Sequence, residues 1–189
     1  MSFAADWLSE VASIALKIDV EQIEACAELL NKVKSDQGRV FVIGVGGSAA
    51  NASHFVNDLR KIAGVEAYAP TDNAAELTAR TNDDGWWTVF LEWLRTSHMT
   101  ADDLLVVLSV SGGTETVSPN IVHAVEYARE RKAKIMGVVG SREGYTARAA
   151  TSYVLVPAVN QKRVTPHVES FQSVLGHLLV WYMSGADLR

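Results

Sequence analysis

Two short apolar runs constrain this chain more than anything else in it. Val40-Phe41-Val42-Ile43 and Leu104-Leu105-Val106-Val107-Leu108 have no polar residue at alternate positions, so neither reads as a strand with one face in water. Strands apolar on both faces belong inside a parallel sheet covered by helices on both sides. The first run leads into Gly44-Val45-Gly46-Gly47-Ser48-Ala49-Ala50-Asn51-Ala52-Ser53-His54 and the second into Ser109-Val110-Ser111-Gly112-Gly113-Thr114. A strand that closes on small, hydroxyl-rich residues and then opens a helix makes an anion site. Glycine lets the backbone approach a ligand, the first helical N–H groups are unpaired, and the helix dipole favours negative charge. Two such loops predict one phosphorylated ligand held between them.

The remaining pattern alternates. Strands are predicted over about residues 39–44, 66–69, 103–109, 134–139 and 152–156. Helices are predicted over about 47–62, 73–80, 86–95, 118–131, 145–150 and 165–184. This is a three-layer α/β domain with about five parallel strands. Ligands on such sheets sit at the carboxyl ends of strands, near a topological switch point, which is where both loops fall. Residues 1–36 read as helix: Trp7, Val11, Ile14 and Ile18, then Ile23, Cys26, Leu30 and Val33, recur at helical spacing. Asp19 with Gln22 resembles a capping box and divides this segment in two. The pair is expected to pack across the domain or against another subunit. At 189 residues, a single domain spanning 1–189 is expected.

A net charge of −5 argues against direct nucleic-acid binding, so an anion must be held by local backbone and hydroxyl groups. Cys26 is the only cysteine and lies on an apolar helix face, which reads as an inert core thiol. Apolar runs stay far short of the roughly 18 residues of a membrane span. The first residues, Met1-Ser2-Phe3-Ala4-Ala5-Asp6, lack the basic segment of a signal peptide, so a cytoplasmic protein with no membrane partner is expected.

Gly44-x-Gly46-x-x-Ala49 matches dinucleotide-fingerprint spacing, with Glu66 about 20 residues on. Glu66 begins its strand rather than ending it, and the helix after the loop is too polar for a pyrophosphate turn, so no nucleotide cofactor is expected. His54 and Asp58 share a helix face, either as a surface pair or facing a ligand. In the last helix Glu169, Gln172, Ser173 and His177 form a polar stripe among apolar residues. Glu169 and His177 are about 12 Å apart along the axis, so they converge only through bent side chains or contributions from two subunits. Trp86, Phe90 and Trp93 form one helical row and Trp87, Leu91 and Leu94 the next, which reads as core or interface rather than a sugar platform. Asn82-Asp83-Asp84-Gly85 reads as a turn that could offer Asp83 to a ligand hydroxyl. His98, His123 and His167 have no evident partners and read as structural or solvated.

Gly-x-Gly-Gly-Ser-Ala followed by His-Phe, then Asn-Asp-x-Gly, then Ser-x-Ser-Gly, then a histidine in the final helix, resembles the SIS (sugar isomerase) domain, and within it the phosphoheptose isomerases. The resemblance covers nearly the whole chain. It implies a flavodoxin-like parallel sheet and a homotetramer with active sites shared between subunits. It implies conversion of sedoheptulose 7-phosphate into D-glycero-D-manno-heptose 7-phosphate. Candidate substrate contacts are Gly46, Gly47, Ser48 and Asn51, then Asp83, then Ser109, Ser111, Thr114 and Ser118. Asp58 takes the place of the family's catalytic carboxylate and His177 that of its partner acid or base. Zinc-binding members imply a metal set of His54, Asp58, Glu169 and His177.

The departures bear on activity. Asp58 stands where the family has Glu, Glu169 where it has Gln, Val45 where it has Asn and Val110 where it has Thr. About four additional residues within Thr114 to Val117 lengthen the second loop. Two carboxylates and two imidazoles favour a divalent cation, zinc first. A ketose–aldose isomerase needs a base at carbon and a group that handles the oxygens, roles suited to Asp58 and His177. The rival is a non-catalytic SIS module that binds a sugar phosphate as a regulatory ligand or binds a replication initiator protein.

Overall fold

The structure is a computed structural model that describes residues 2–185. Two helices, α1 (Phe3–Lys17) and α2 (Val20–Ser35), precede an alternating run. It comprises β1 (Val40–Gly44), α3 (Gly47–Lys61), β2 (Ala67–Tyr68), α4 (Ala74–Asp83), α5 (Val89–Thr96), β3 (Leu104–Ser109) and α6 (Pro119–Glu130). β4 (Lys134–Val139), α7 (Tyr145–Ala149), β5 (Ser152–Leu155) and α8 (Val164–Ser184) follow. The strands form one parallel sheet in the order β2-β1-β3-β4-β5, with Val40 opposite Leu104 and Gly44 opposite Leu108. The order reverses between β1 and β3, so the two glycine-bearing loops leave adjacent strands at the switch point.

Strand alternation divides the core. Val40, Val42, Leu104, Val106, Leu108, Met136 and Val138 face α2, α3 and α8. Phe41, Ile43, Leu105, Val107 and Ile135 face α5 and α6. The two apolar runs thus fill both layers, as an interior strand requires. Cys26 is fully buried among the first set, and burial pushes its thiol up to about 11.

The two N-terminal helices are separated at Asp19, which caps α2 by accepting from the N–H groups of Glu21 and Gln22. Gln22 does not complete a capping box. Its Oε1 accepts instead from Leu155 N at 3.1 Å, occupying a donor of the edge strand β5. His167, expected to lack a partner, is buried with Nε2 2.7 Å from Glu10 Oε2 and its ring 4.7 Å from that of Trp7. Glu10 also accepts from Asn160 and Arg163. The hydrogen bonds from Asn160 and His167, with the Arg163 charge, hold its carboxyl below the usual carboxylate range despite burial. This knot ties α1 to the start of α8. His98 occupies a left-handed turn, and His123 lies 3.8 Å from Glu126.

The tryptophan segment starts its helix later than predicted. Gly85 has φ +87° and Trp87 packs over it, while Thr88 N donates to Gly85 O, so residues 85–88 turn and α5 begins at Val89. Trp86 and Trp93 pack on the core, whereas Trp87 is exposed. α4 runs through Asn82 and Asp83, both predicted as turn, and β2 is shorter than expected. Among the described residues no helix is long and apolar enough to cross a membrane.

Candidate active site

The site is built on α3 and α8, which lie side by side and run in the same direction. Gly46, at φ +63°, turns the chain out of β1 so that α3 begins at Gly47. Asn51 Nδ2 donates to Glu169 O at 2.7 Å and to Gln172 Oε1 at 3.1 Å. One turn further on, Gly176 packs on the Phe55 ring, where a Cβ would make ordinary contact 3.4 Å from Cδ2. The asparagine bridge sets how far α8 slides along α3.

That slide brings His177 to Asp58. Asp58 is 6% exposed, and its Oδ2 lies 3.2 Å from His177 Nδ1 and 3.4 Å from His54 Nε2. Its Oδ1 accepts from Asn57 Nδ2 at 2.9 Å. The two imidazoles stand edge to face with centroids 5.0 Å apart, and each is about half exposed (53% and 49%). A carboxylate in the protein wall between two solvent-facing imidazoles can move a proton at carbon while a neighbour handles an oxygen.

One potential ligand atom from each of His54, Asp58 and His177 lies within 4.8 Å of the others. Two nitrogens and one oxygen with an open fourth side are the donor set of a catalytic zinc site. The two carboxylate–imidazole separations, 3.2 and 3.4 Å, are those of ligands about 2 Å from one tetrahedral metal. Glu169, expected as a fourth ligand, is not in this group; it lies two turns away, against Gly47.

At the other end of the helix pair, Ser48, Ser109, Ser111 and Ser118 line a cavity of about 270 Å³. Val45, Val110 and Val117 form apolar wall, and Thr165 and Glu169 close it from α8. Ser109 Oγ accepts from Gly112 N at 3.1 Å, and Ser111 Oγ accepts from Gly113 N at 3.2 Å. Each hydroxyl, satisfied as an acceptor, keeps its O–H to donate to an anion. The loop holds this shape because Gly112 and Gly113 have φ near +80° and α7 presses on it. Tyr145 N and Thr146 N donate to Gly113 O and Gly112 O, and a Cβ on Gly144 would fall 2.1 Å from Ser111 O. Ser118 caps α6 in the left-handed conformation (φ +56°) without a side-chain capping bond, a strain that recurs at functional sites.

The other predicted contacts fall elsewhere. Asn51 spends its amide on the seam between α3 and α8. Thr114 closes a turn, its N–H donating to Val117 O at 2.8 Å and its Oγ1 accepting from Val117 N at 2.9 Å. It lines a larger groove of about 670 Å³ with Tyr145, Arg148 and several glutamates. The smaller cavity is the better anion site because its hydroxyls converge at two strand ends. Asp83 is exposed at the end of α4, where it accepts from Asn82. Gly46 and Gly47 form the first turn of α3, under Glu169. Sequence reasoning missed Thr165, which belongs to no motif; Gln172, read only as part of the polar stripe, is buried with no hydrogen-bond partner for Nε2.

Comparison with known proteins bears on this arrangement. A family model described as SIS domain matches residues 6–140. The chain is 33% identical over 147 residues to a phosphoheptose isomerase from Rhodospirillum rubrum, covering 75% of this chain and 73% of that protein. It is 30% identical over 191 residues to the lincomycin biosynthesis protein LmbN of Streptomyces lincolnensis, covering 95% of this chain and 68% of that protein. Among solved structures, it superposes on the phosphoheptose isomerase GmhA from Neisseria gonorrhoeae with a TM-score of 0.83 and 29% identity, over 97% of each chain.

Proposed function

The chain belongs to the SIS domain family, and from that premise we propose that it is a phosphosugar isomerase converting sedoheptulose 7-phosphate into D-glycero-D-manno-heptose 7-phosphate through an enediol. One observation carries the reading: buried Asp58 sits between two imidazoles on the same helix pair whose other end lines a serine-rich cavity. A module that only binds phosphosugars has no need of that second cluster.

In this reading the phosphate is held by the hydroxyls of Ser109, Ser111 and Ser118, which orients the reacting end. Asp58 takes the proton from C1, the freed electron pair forms the C1=C2 bond, the C2=O2 π pair moves onto O2, and O2 takes a proton from His177. His177 then recovers a proton from O1 as Asp58 returns its own to C2. Atoms and charge balance with no added reagent. His54, Asp58 and His177 are the residues that would hold a divalent cation, zinc first. When bound, it would polarise the carbonyl and stabilise the enediolate.

The family resemblance implies an assembly with active sites shared between subunits, and that assembly is part of the proposal. Val174, Leu178, Trp181 and Tyr182 form an exposed stripe beside His177 that a second copy would cover. A cytoplasmic homotetramer is the assembly proposed. The test is a coupled assay of purified protein with sedoheptulose 7-phosphate; absence of aldose product, with and without added zinc, would sink the reading.

A further inference from the structure

Among the described residues, Glu169 is the only charged side chain in the wall of the serine-lined cavity. Its carboxylate lies on the first turn of α3: a Cβ on Gly47 would come within 2.5 Å of Oε2 and 2.8 Å of Oε1. Its backbone oxygen accepts from Asn51, which fixes this turn of α8 against α3. The N-terminus of α3 is one of the two anion positions at the strand ends, and a protein carboxylate already lies against its first residue. The other position, formed by Ser109, Ser111 and the start of α6, carries hydroxyls and no charge.

We propose that Glu169 is a specificity-determining residue that divides the cavity. It takes the α3 position, confines the substrate phosphate to the Ser109–Ser111–Ser118 side, and accepts hydrogen bonds from hydroxyls on the adjoining sugar carbons. The ligand class selected is a polyhydroxylated sugar monophosphate. Sugar bisphosphates are disfavoured, because a second phosphate would meet the carboxylate. Inorganic phosphate is disfavoured too, because it suffers the repulsion and brings no carbon hydroxyls to offset it. This rests on the reading of the cavity as a phosphosugar site.

The experiment is calorimetric titration of the full chain and its Glu169→Gln and Glu169→Asp variants with inorganic phosphate and with sedoheptulose 7-phosphate. Gln keeps the shape and removes the charge. It is expected to bind inorganic phosphate about tenfold tighter than wild type, which is the scale of one charge repelling a dianion across a partly solvated cavity. The difference should shrink at about 0.5 M salt. Preference for the sugar phosphate over inorganic phosphate should fall by a similar factor, while Glu169→Asp should stay near wild type. Equal or weaker phosphate binding by Glu169→Gln overturns the proposal, as does a parallel loss for both ligands, the mark of a merely structural residue. No phosphate binding by any form would refute the cavity itself. A wild type that binds as expected but shows no turnover would refute the isomerase and leave this division standing.

Discussion

The two ends of the α3–α8 pair are built from different materials. The cavity end consists mainly of serine hydroxyls from the loops after β1 and β3, stiffened by glycines that admit close backbone contact, with Thr165 and Glu169 of α8 closing one side. The triad end consists of three side chains, two from α3 and one from a helix more than a hundred residues later. Most of a binding cradle can therefore be encoded locally, whereas a reacting centre depends on how two helices are set against each other. The contrast predicts that damage at the triad reads out in turnover and damage at the cradle in substrate affinity.

The largest effect is expected from Asp58→Asn, which keeps the shape and removes the base. In the coupled assay kcat should fall about 10³-fold with KM little changed and the fold intact by circular dichroism. A KM effect alone would reverse the assignment of the two ends. Next comes the rigidity of the cradle. Gly144→Ala drives a methyl into a backbone oxygen and should lower stability by about 3 kcal/mol in urea unfolding. Gly47→Ala meets only the movable Glu169 carboxylate and should cost under about 1 kcal/mol. Equal losses would mean that the two loops are equally rigid.

A smaller effect is expected from Ser111→Ala, which removes one donor to the phosphate and should raise KM about tenfold with kcat nearly unchanged. The smallest should come from the opposite end of the sheet, where Asp103 accepts from Arg39 N, Nε and Nη2 and from Thr100 N. Burial alone would raise the Asp103 carboxyl, but these hydrogen bonds and the Arg39 charge together hold it below its usual range. With a depressed folded pKa, its stabilisation is complete above the unfolded value near 3.9 and is lost as pH falls through the folded one. Wild type should therefore be more stable than Asp103→Asn at neutral pH and lose that lead in acid. Activity per folded molecule should not change. A change in kcat would show that the two ends of the sheet are coupled.

The strands were legible to within about two residues because a run apolar on both faces has few other places to go. The serine cradle was legible for a related reason, since strand, small-residue loop and helix start are adjacent in the chain. Where reading failed, a distant partner had intervened. Gln22 has the spacing of a cap yet serves the edge of β5, and His167 looked solitary because Glu10 lies 157 residues away. Glu169 was grouped with the triad by resemblance; within one chain it stands two turns from His177, against Gly47, so it would reach a triad only across a subunit boundary.

The sequence by itself determined the parallel sheet, the two loops at its strand ends and the shared face of His54 and Asp58. These follow from periodicity within single elements and from residues adjacent in the chain. Only the tertiary structure decided which imidazole completes the pair and which carboxylate guards the cradle. Those choices depend on the slide of α8 along α3, set by Asn51 bridging to Glu169 and Gln172. No spacing along one helix records its register against another, because that register is fixed by the packing of side chains from both.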